Sequence, residues 1–440
     1  MLSARETALR ALISFRREGA WPDLYLKKAC VGMRPEEAAL CSSITYGVLQ
    51  NRAYLDFLIG SFSARPVEKL TPQVLDALRM GAYQLVYLTR IPHNAVLHET
   101  VELVKKSANP GAAGYVNGVL RALQRSLDSL PEVPREDELT YLSVRYSHPK
   151  WFVGKMKKRL GFDGCEALLQ ANNTPAAVTA RVNTLKTSRE ALLARLESRG
   201  IPAQPHPDLK NALVFPQMKG LLQEGCLQEG LLYIQDVASQ LCVEALQPKA
   251  GESLLDLCAA PGGKSMLAAQ MMEDKGSLLS MDLHPHKSDL IAKNAQTYGI
   301  TCLQTVPSDA SVFREALEAR ADAIICDVPC SGMGVIRKKP DVRFKDGDKM
   351  KELPPLQLSI LENASRYLKP GGRLVYSTCT VLKEENEAVV ERFLAEHPDF
   401  SLEAFDLPGI GRVESGMLTL WPHVHGTDGF FMAKIVKSRG

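Results

Sequence analysis

SLLDLCAAPGGKS, residues 253 to 265, decides the fold. Its apolar residues Leu254, Leu255 and Leu257 empty into a turn that carries Gly262 and Gly263. A helical pattern begins at Gly263. A short buried strand that passes through a glycine turn into a helix is the opening of a strand–helix unit. The alternation repeats downstream: GSLLSMDLH then SDLIAKNAQTYG, TCLQTVPSDA then FREALEAR, DAIICDVPC then PPLQLSILENASRYL, GRLVYSTC then NEAVVERFLAEH. Strands alternating with helices predict a doubly wound, mainly parallel sheet over residues 231–440. Ligands of such sheets sit beyond the carboxyl ends of the strands. The loops to read are therefore AAPGGKS, DLHPHK, SDA, DVPCSG and STCT.

Upstream the period is different. Over residues 1–140, Leu40, Ile44 and Val48 recur at helical spacing, as do Val74, Leu78, Ala82 and Leu85, and predict an all-α bundle. Asn94 is the expected N-cap of the helix carrying Val96, Thr100 and Val104. DSLPEVPRED, residues 128 to 137, is the expected linker. Residues 141–230 read as a small α+β module: a helix over PKWFVGKMKKRL, the alternating strand AVTARVN, a helix over SREALLARLESRG ending on Gly200, and a strand at NALVF. In AVTARVN, Val178, Ala180 and Val182 share one face and Thr179, Arg181 and Asn183 the other. That pattern offers Arg181 and Asn183 to an open face. It fits plain surface strand residues equally well.

Composition narrows the class. A hydrophobic fraction of 45% and a charged fraction of 23% belong to a soluble globular chain. No apolar run reaches membrane-span length. MLSARETALRALISFRRE has charges inside its apolar pattern and is no signal peptide, so a cytoplasmic location is expected. The ten cysteines form no C-x-x-C pair, and HPH at 284–286 and HVH at 423–425 lack further ligands at fixed spacing. No metal site is expected. A net charge of +3 neither demands nor excludes nucleic acid. The basic runs KMKKRL and RKKPDVRFK point weakly toward it, because such runs are usually solvated faces.

Three cofactors compete for the turn Cys258, Ala259, Ala260, Pro261, Gly262, Gly263, Lys264. A P-loop needs glycine or alanine where Cys258 stands, and G-x-G-x-x-G is absent, so nucleoside triphosphate and nicotinamide dinucleotide fit poorly. S-adenosyl-L-methionine needs a backbone-lined turn for its amino-acid end, a carboxylate for its ribose and an adenine pocket. The turn, then Asp282, then Asp309 supply these in order. A lone strand-end aspartate is often only a helix cap, so the weight lies in the series.

Cys330 and Cys379 end two strands. C5 of a pyrimidine is a poor nucleophile, and a thiolate adding at C6 activates it. Asp327, three residues before Cys330, is placed to bond the base edge of a nucleotide taken out of its stack. The residues alone do not choose which thiol attacks.

DLCAAPGGKS, DVPCSG, YSTCT and HGTDGFFMAKI, in that order, resemble the RNA 5-methylcytosine methyltransferases. With the helical N-terminal region similar to NusB, essentially the whole chain resembles the RsmB/Sun/Fmu family of bacterial rRNA methyltransferases. The resemblance implies a Rossmann-like S-adenosylmethionine-dependent methyltransferase domain over 231–440, an N-terminal all-α NusB-like bundle over 1–140 that binds RNA, and a small α+β RNA-recognition module over 141–230. It implies methylation of C5 of a cytosine in 16S rRNA, at position 967 of that RNA, naked or in an early 30S particle. It gives Cys379 the nucleophile's role, Cys330 that of assisting product release, Asp327 a contact to cytosine N3 or N4 and to the cofactor, and Arg181 and Asn183 an RNA contact. No membrane partner and a monomer are expected. The alternatives are a tRNA cytosine methyltransferase and a non-catalytic RNA-binding assembly factor.

Overall fold

Thr71 and Pro72, Arg34 and Pro35, Trp21 and Pro22 each open a helix, because proline's fixed φ suits a first turn and its missing N–H costs nothing there. The structure, a computed structural model, describes residues 2–19, 21–107, 110–216, 218 and 220–439. They divide into two units, Met1–Thr174 with Lys339–Lys345, and Pro175–Lys338 with Asp346–Gly440.

The first unit is helical: Ala4–Glu18, Pro22–Ala29, Pro35–Phe62, Pro72–Tyr87, His93–Ser107, Ala113–Arg125, Glu138–Arg145 and Lys150–Ala171. Ile44, Val48, Val74, Leu78, Ala82 and Leu85 are buried, as their spacing predicts. The fifth of these helices starts at His93, so Asn94 lies inside its first turn and is not the cap. The helix Lys150–Ala171, expected in the middle module, belongs to this unit and breaks at Gly161, whose φ is 74°. Lys339–Lys345 also belongs here, and its Arg343 is almost fully buried. That guanidinium donates to the carbonyls of Gln50, Tyr146, Ser147 and Asn172 and to Asn173 Oδ1, at 2.6 to 3.3 Å. Within the basic run 337–345, Arg343 therefore turns inward while Lys338 and Lys339 stay exposed.

The second unit opens with an antiparallel sheet of β1 Val178–Val182, β2 Gln204–Pro205, β3 Ala212–Phe215 and β4 Leu232–Ile234, in the order β2-β3-β1-β4. Ala180, Val182 and Leu213 of this sheet pack with Leu192 and Leu196 of the helix Arg189–Ser198. The larger sheet follows: β5 Ser253–Asp256, β6 Ser277–Asp282, β7 Leu303–Pro307, β8 Ala321–Asp327, β9 Leu368–Thr378 and β10 Phe400–Leu402. A hairpin, β11 Phe405–Leu407 and β12 Gly411–Val413, precedes β13 Met417–Leu420 and β14 Phe430–Lys437.

β7-β6-β5-β8-β9 run parallel. β14 joins β9 antiparallel and is itself paired by β10 and β13. Alternate residues feed two cores. Leu254, Ile325 and Val375 face the helices Val237–Leu246 and Gly263–Met271, while Leu255, Ile324 and Leu374 face Leu353–Tyr367 and Glu387–Glu396. A sheet covered on both faces explains why its strands read as near-continuous apolar runs. Strand order reverses between β5 and β8, which opens a crevice at their carboxyl ends.

FREALEAR is not the helix its pattern predicts. Only a 3-10 turn, Glu315–Leu317, forms. The amides of Ala319 and Arg320 bond the carbonyls of Arg366 and Tyr367, and the Arg314 amide bonds the Tyr367 hydroxyl. Those tertiary bonds outweigh local propensity. Among the described residues no helix is long and apolar enough to cross a membrane.

Candidate active site

The turn after β5 leaves the sheet beside the switch point. The Gly262 amide bonds the Ala259 carbonyl at 2.6 Å, and Gly262 has φ of 97°, which an L side chain resists. A Cβ on Gly263 would stand 2.9 Å from the Tyr233 ring, so only glycine lets β4 and the helix start approach this closely. The result is a cavity of about 220 Å³ lined by Tyr233, Gln235, Asp256, the stretch Cys258 to Pro261, Lys264 and Asp327. Among the described residues, two buried oxygens in its wall, Gln235 Oε1 and Asp256 Oδ1, have no hydrogen-bond partner. The other oxygen of Asp256 accepts from Ser265 Oγ at 2.5 Å, and Ser265 Oγ accepts from Ser280 Oγ at 2.9 Å. Burial, aided by the nearby Asp327 charge, pushes the Asp256 carboxyl up to about 7. Burial also holds the Cys258 thiol well above its usual range, so that sulfur is an unreactive wall.

Asp327 ends β8 and lines the cavity. Its Oδ2 receives Lys264 Nζ at 2.6 Å and its Oδ1 receives Ser377 Oγ at 2.7 Å. Burial opposes the charge on Lys264, but Asp327 outweighs it and holds the ammonium above its ordinary pKa. Register then brings the cysteines together. β8 and β9 run parallel with Asp327 opposite Ser377, so the loops that follow leave the sheet side by side. Cys330 Sγ lies 3.0 Å from Cys379 Sγ. The hydrogen bond with Cys379, together with burial and the Glu385 carboxylate, holds the Cys330 thiol well above its usual range.

Both loops are braced from behind. The Gly334 amide bonds the Cys379 carbonyl at 2.9 Å, and the Gly429 amide bonds the Gly334 carbonyl at 2.8 Å. A Cβ on Gly334 would lie 1.7 Å from the Gly429 carbonyl oxygen. Ser331 Oγ donates to Thr380 Oγ1, and Asn386 takes Thr378 Oγ1 and gives to the Thr380 carbonyl. Asp428 and Asp236 share Lys338 Nζ at 2.7 and 2.5 Å, and Arg337 adds a bond to Asp428 at 3.1 Å.

The remaining expected residues fall in different places. Asp282 ends β6 and is buried. Its oxygens accept from the amides of Ala260 and His284, each at 3.3 Å, with Lys287 Nζ at 3.4 Å. It thus ties the glycine turn to the next strand. Asp309 is exposed and accepts from the Ser311 amide and hydroxyl, which hold its carboxyl below the usual range. The open face expected for Arg181 and Asn183 is corrected: both are 1% exposed. The helices Val237–Leu246 and Gly263–Met271 cover that face, bringing Gln240, Leu267 and Gln270 beside Arg181. Arg181 lies over the Tyr233 ring at 5.3 Å, and burial pushes its guanidinium down to about 10. Asn183 gives to the carbonyls of Gly230 and Tyr298 and takes the Leu185 amide and Gln270 Nε2, which uses its hydrogen-bonding capacity within the unit.

Sequence reading missed Tyr233, Gln357 and Glu385. Tyr233 lies within the short strand β4, whose three residues carry no motif. Glu385 sits in KEENE, which reads as a solvated helix start. Among the described residues no group of three His, Cys, Asp or Glu side chains is arranged to hold a metal ion.

Known proteins share this architecture. Residues 243–436 match the model for "16S rRNA methyltransferase RsmB/F", residues 2–125 the NusB family and residues 148–220 a ferredoxin-like domain of RsmF/B-like methyltransferases. "Probable ribosomal RNA small subunit methyltransferase B" of Bacillus subtilis is 39% identical, over 99% of each chain. Ribosomal RNA small subunit methyltransferase B of Erwinia tasmaniensis is 34% identical over 91% of each. A solved methyltransferase homolog protein from Pyrococcus horikoshii is 30% identical with a TM-score of 0.60, covering 69% of this chain and 99% of its own. A NusB-like helical region followed by a Rossmann-like sheet with paired strand-end thiols, and full-length identity at this level, lead to one conclusion: the chain belongs to the RsmB/F family of 16S rRNA methyltransferases.

Proposed function

We propose that this protein methylates C5 of a cytosine in 16S rRNA, with S-adenosylmethionine as donor and Cys379 as the nucleophile that adds to C6. The observation that carries the reading is the pair Cys330–Cys379 at 3.0 Å, in the loops that follow β8 and β9, together with Asp327, which ends β8 and lines the glycine-turn cavity. A single-base methylation at oxygen or an exocyclic amine needs no thiol; C5 does.

The cavity suits the cofactor. Gly263 lets the Tyr233 ring close in as one wall of the cavity, and the oxygens of Gln235 and Asp256 that lack a partner among the described residues offer acceptors to an ammonium group. Residues 258–264 and Asp282 would hold it, with Asp309 near the adenine end. When bound, S-adenosylmethionine supplies a sulfonium methyl group that an activated C5 can accept.

The chain's own groups do the rest. Cys379 forms the bond to C6 and breaks it again at the end. Asp327, fixed by Lys264 and Ser377, meets the N3 and N4 edge of the flipped base and favours the electron shift that makes C5 nucleophilic. Cys330, held beside Cys379, serves when the C5 proton leaves and the adduct comes apart. Bisulfite sequencing of 16S rRNA from cells lacking the protein tests the assignment. One cytosine should lose protection and regain it on complementation. Unchanged 16S rRNA with a lost tRNA mark would move the substrate to tRNA.

A further inference from the structure

Glu385 is 1% exposed and ends the 3-10 turn Lys383–Glu385 after β9. Its Oε2 accepts from the Ser331 amide at 2.8 Å and from Gln357 Nε2 at 3.0 Å. Gln357, fully buried, also donates to the Pro329 carbonyl at 2.9 Å. One carboxylate and one amide therefore grip the backbone on both sides of Cys330. The turn is tied to β9 in addition, because the Tyr376 hydroxyl donates to the Glu385 carbonyl at 2.7 Å. Glu385 Oε1 is buried with no protein partner, and no ion pair neutralises the side chain among the described residues. A buried carboxylate without a cation is costly to keep for packing alone. Its charge acts on whatever lies nearby, and Cys330 is the neighbouring thiol whose ionised form it disfavours.

We propose that Glu385 is the positioning residue of the thiol pair: it clamps the loop of Cys330 and keeps the proton on that sulfur, leaving Cys379 as the one that attacks. The inference rests on the reading of Cys379 as nucleophile. The titratable groups around Cys330 are Cys379 after β9, Tyr376 within β9 and Glu385, while the Gly332 amide pulls the other way. The Cys379 thiol, burial and the Glu385 carboxylate disfavour a thiolate at Cys330.

The test is iodoacetamide labelling of Cys330, read by peptide mass spectrometry, in a Cys379→Ser background with and without Glu385→Gln. Removing the charge should speed labelling at about pH 8 by roughly tenfold, one pKa unit being a tenfold change in thiolate. Gln357→Leu takes a donor from the carboxylate and should slow labelling instead. In the otherwise unaltered chain, Glu385→Gln should lower kcat and move its pH profile while leaving KM for the cofactor alone. Equal labelling rates, or both variants shifting the rate in one direction, would overturn the proposal, and so would an unmoved pH profile. If Glu385→Gln does not fold, Gln357→Leu decides by its sign. Labelling needs neither RNA nor cofactor, so it reads Glu385 separately. The underlying reading fails on a different result, a Cys379→Ala enzyme that still methylates.

Discussion

At the residue scale the two thiols have different environments, and the difference predicts different failures. Cys379→Ala should abolish methylation and form no covalent RNA adduct. Cys330→Ala should still attack and methylate but fail to resolve, leaving enzyme bonded to RNA on a denaturing gel. The reverse pattern would exchange their roles. Asp282→Ala should weaken cofactor binding by about 1–3 kcal/mol, the range for losing charge-assisted hydrogen bonds, as calorimetry would show. Asp256 carries a pH signature. Its carboxyl is raised to about 7 in the folded chain, so the folded state binds more protons than the unfolded one between its ordinary value and that point. Stability from this group is present at low pH and is lost as pH rises through the window. Asp256→Asn should flatten that slope in denaturant titrations run from about pH 5 to pH 8. How much of this was legible depended on what each residue's role requires. Gly262, Gly263, Lys264, Asp327 and both cysteines sit in loops whose composition has no cheaper explanation, so the sequence displays them. Glu385 and Arg343 sit inside charge runs, and a charge run does not reveal which member turns inward. Arg181 lies on a correctly read strand and Asn183 directly follows it, but alternation shows two faces without showing that a second layer covers both.

At the element scale, strand pairing does work that no single residue does. The parallel register of β8 and β9 sets the distance between the cysteines, and the antiparallel β14 delivers Gly429 to lock the loop that follows. Gly334→Ala is the sharpest probe, because its Cβ would meet a backbone carbonyl that cannot rotate away. It should cost at least about 2 kcal/mol of stability by overpacking. Activity should fall further than stability, since the Cys330 loop must shift relative to Cys379, while cofactor affinity holds. Equal losses of both would place the role of Gly334 in folding alone. The strands were readable because buried parallel strands are apolar throughout. FREALEAR was misread because its helical spacing is real, but the bonds that overrule it come from Arg366 and Tyr367, a long way along the chain.

On the scale of the whole molecule, the two units are interleaved in sequence, since Lys339–Lys345 completes the helical one. Arg343 donates there to five acceptors, four of them main-chain carbonyls. Arg343→Met should destabilise that unit by about 3–5 kcal/mol, the range for breaking a buried charged network on one side. A drop in its thermal transition measures this, and no change would mean that water replaces the guanidinium at no cost. The same interleaving bears on the order of events during synthesis. A ribosome releases the amino-terminal helices long before it reaches Arg343. Until then the carbonyls of Gln50, Ser147 and Asn172 wait without their donor. The helical unit therefore reaches its final stability only after β5 to β8 have been made. An amino-terminal fragment ending at Thr174 should accordingly melt at a lower temperature than the same helices in the full chain.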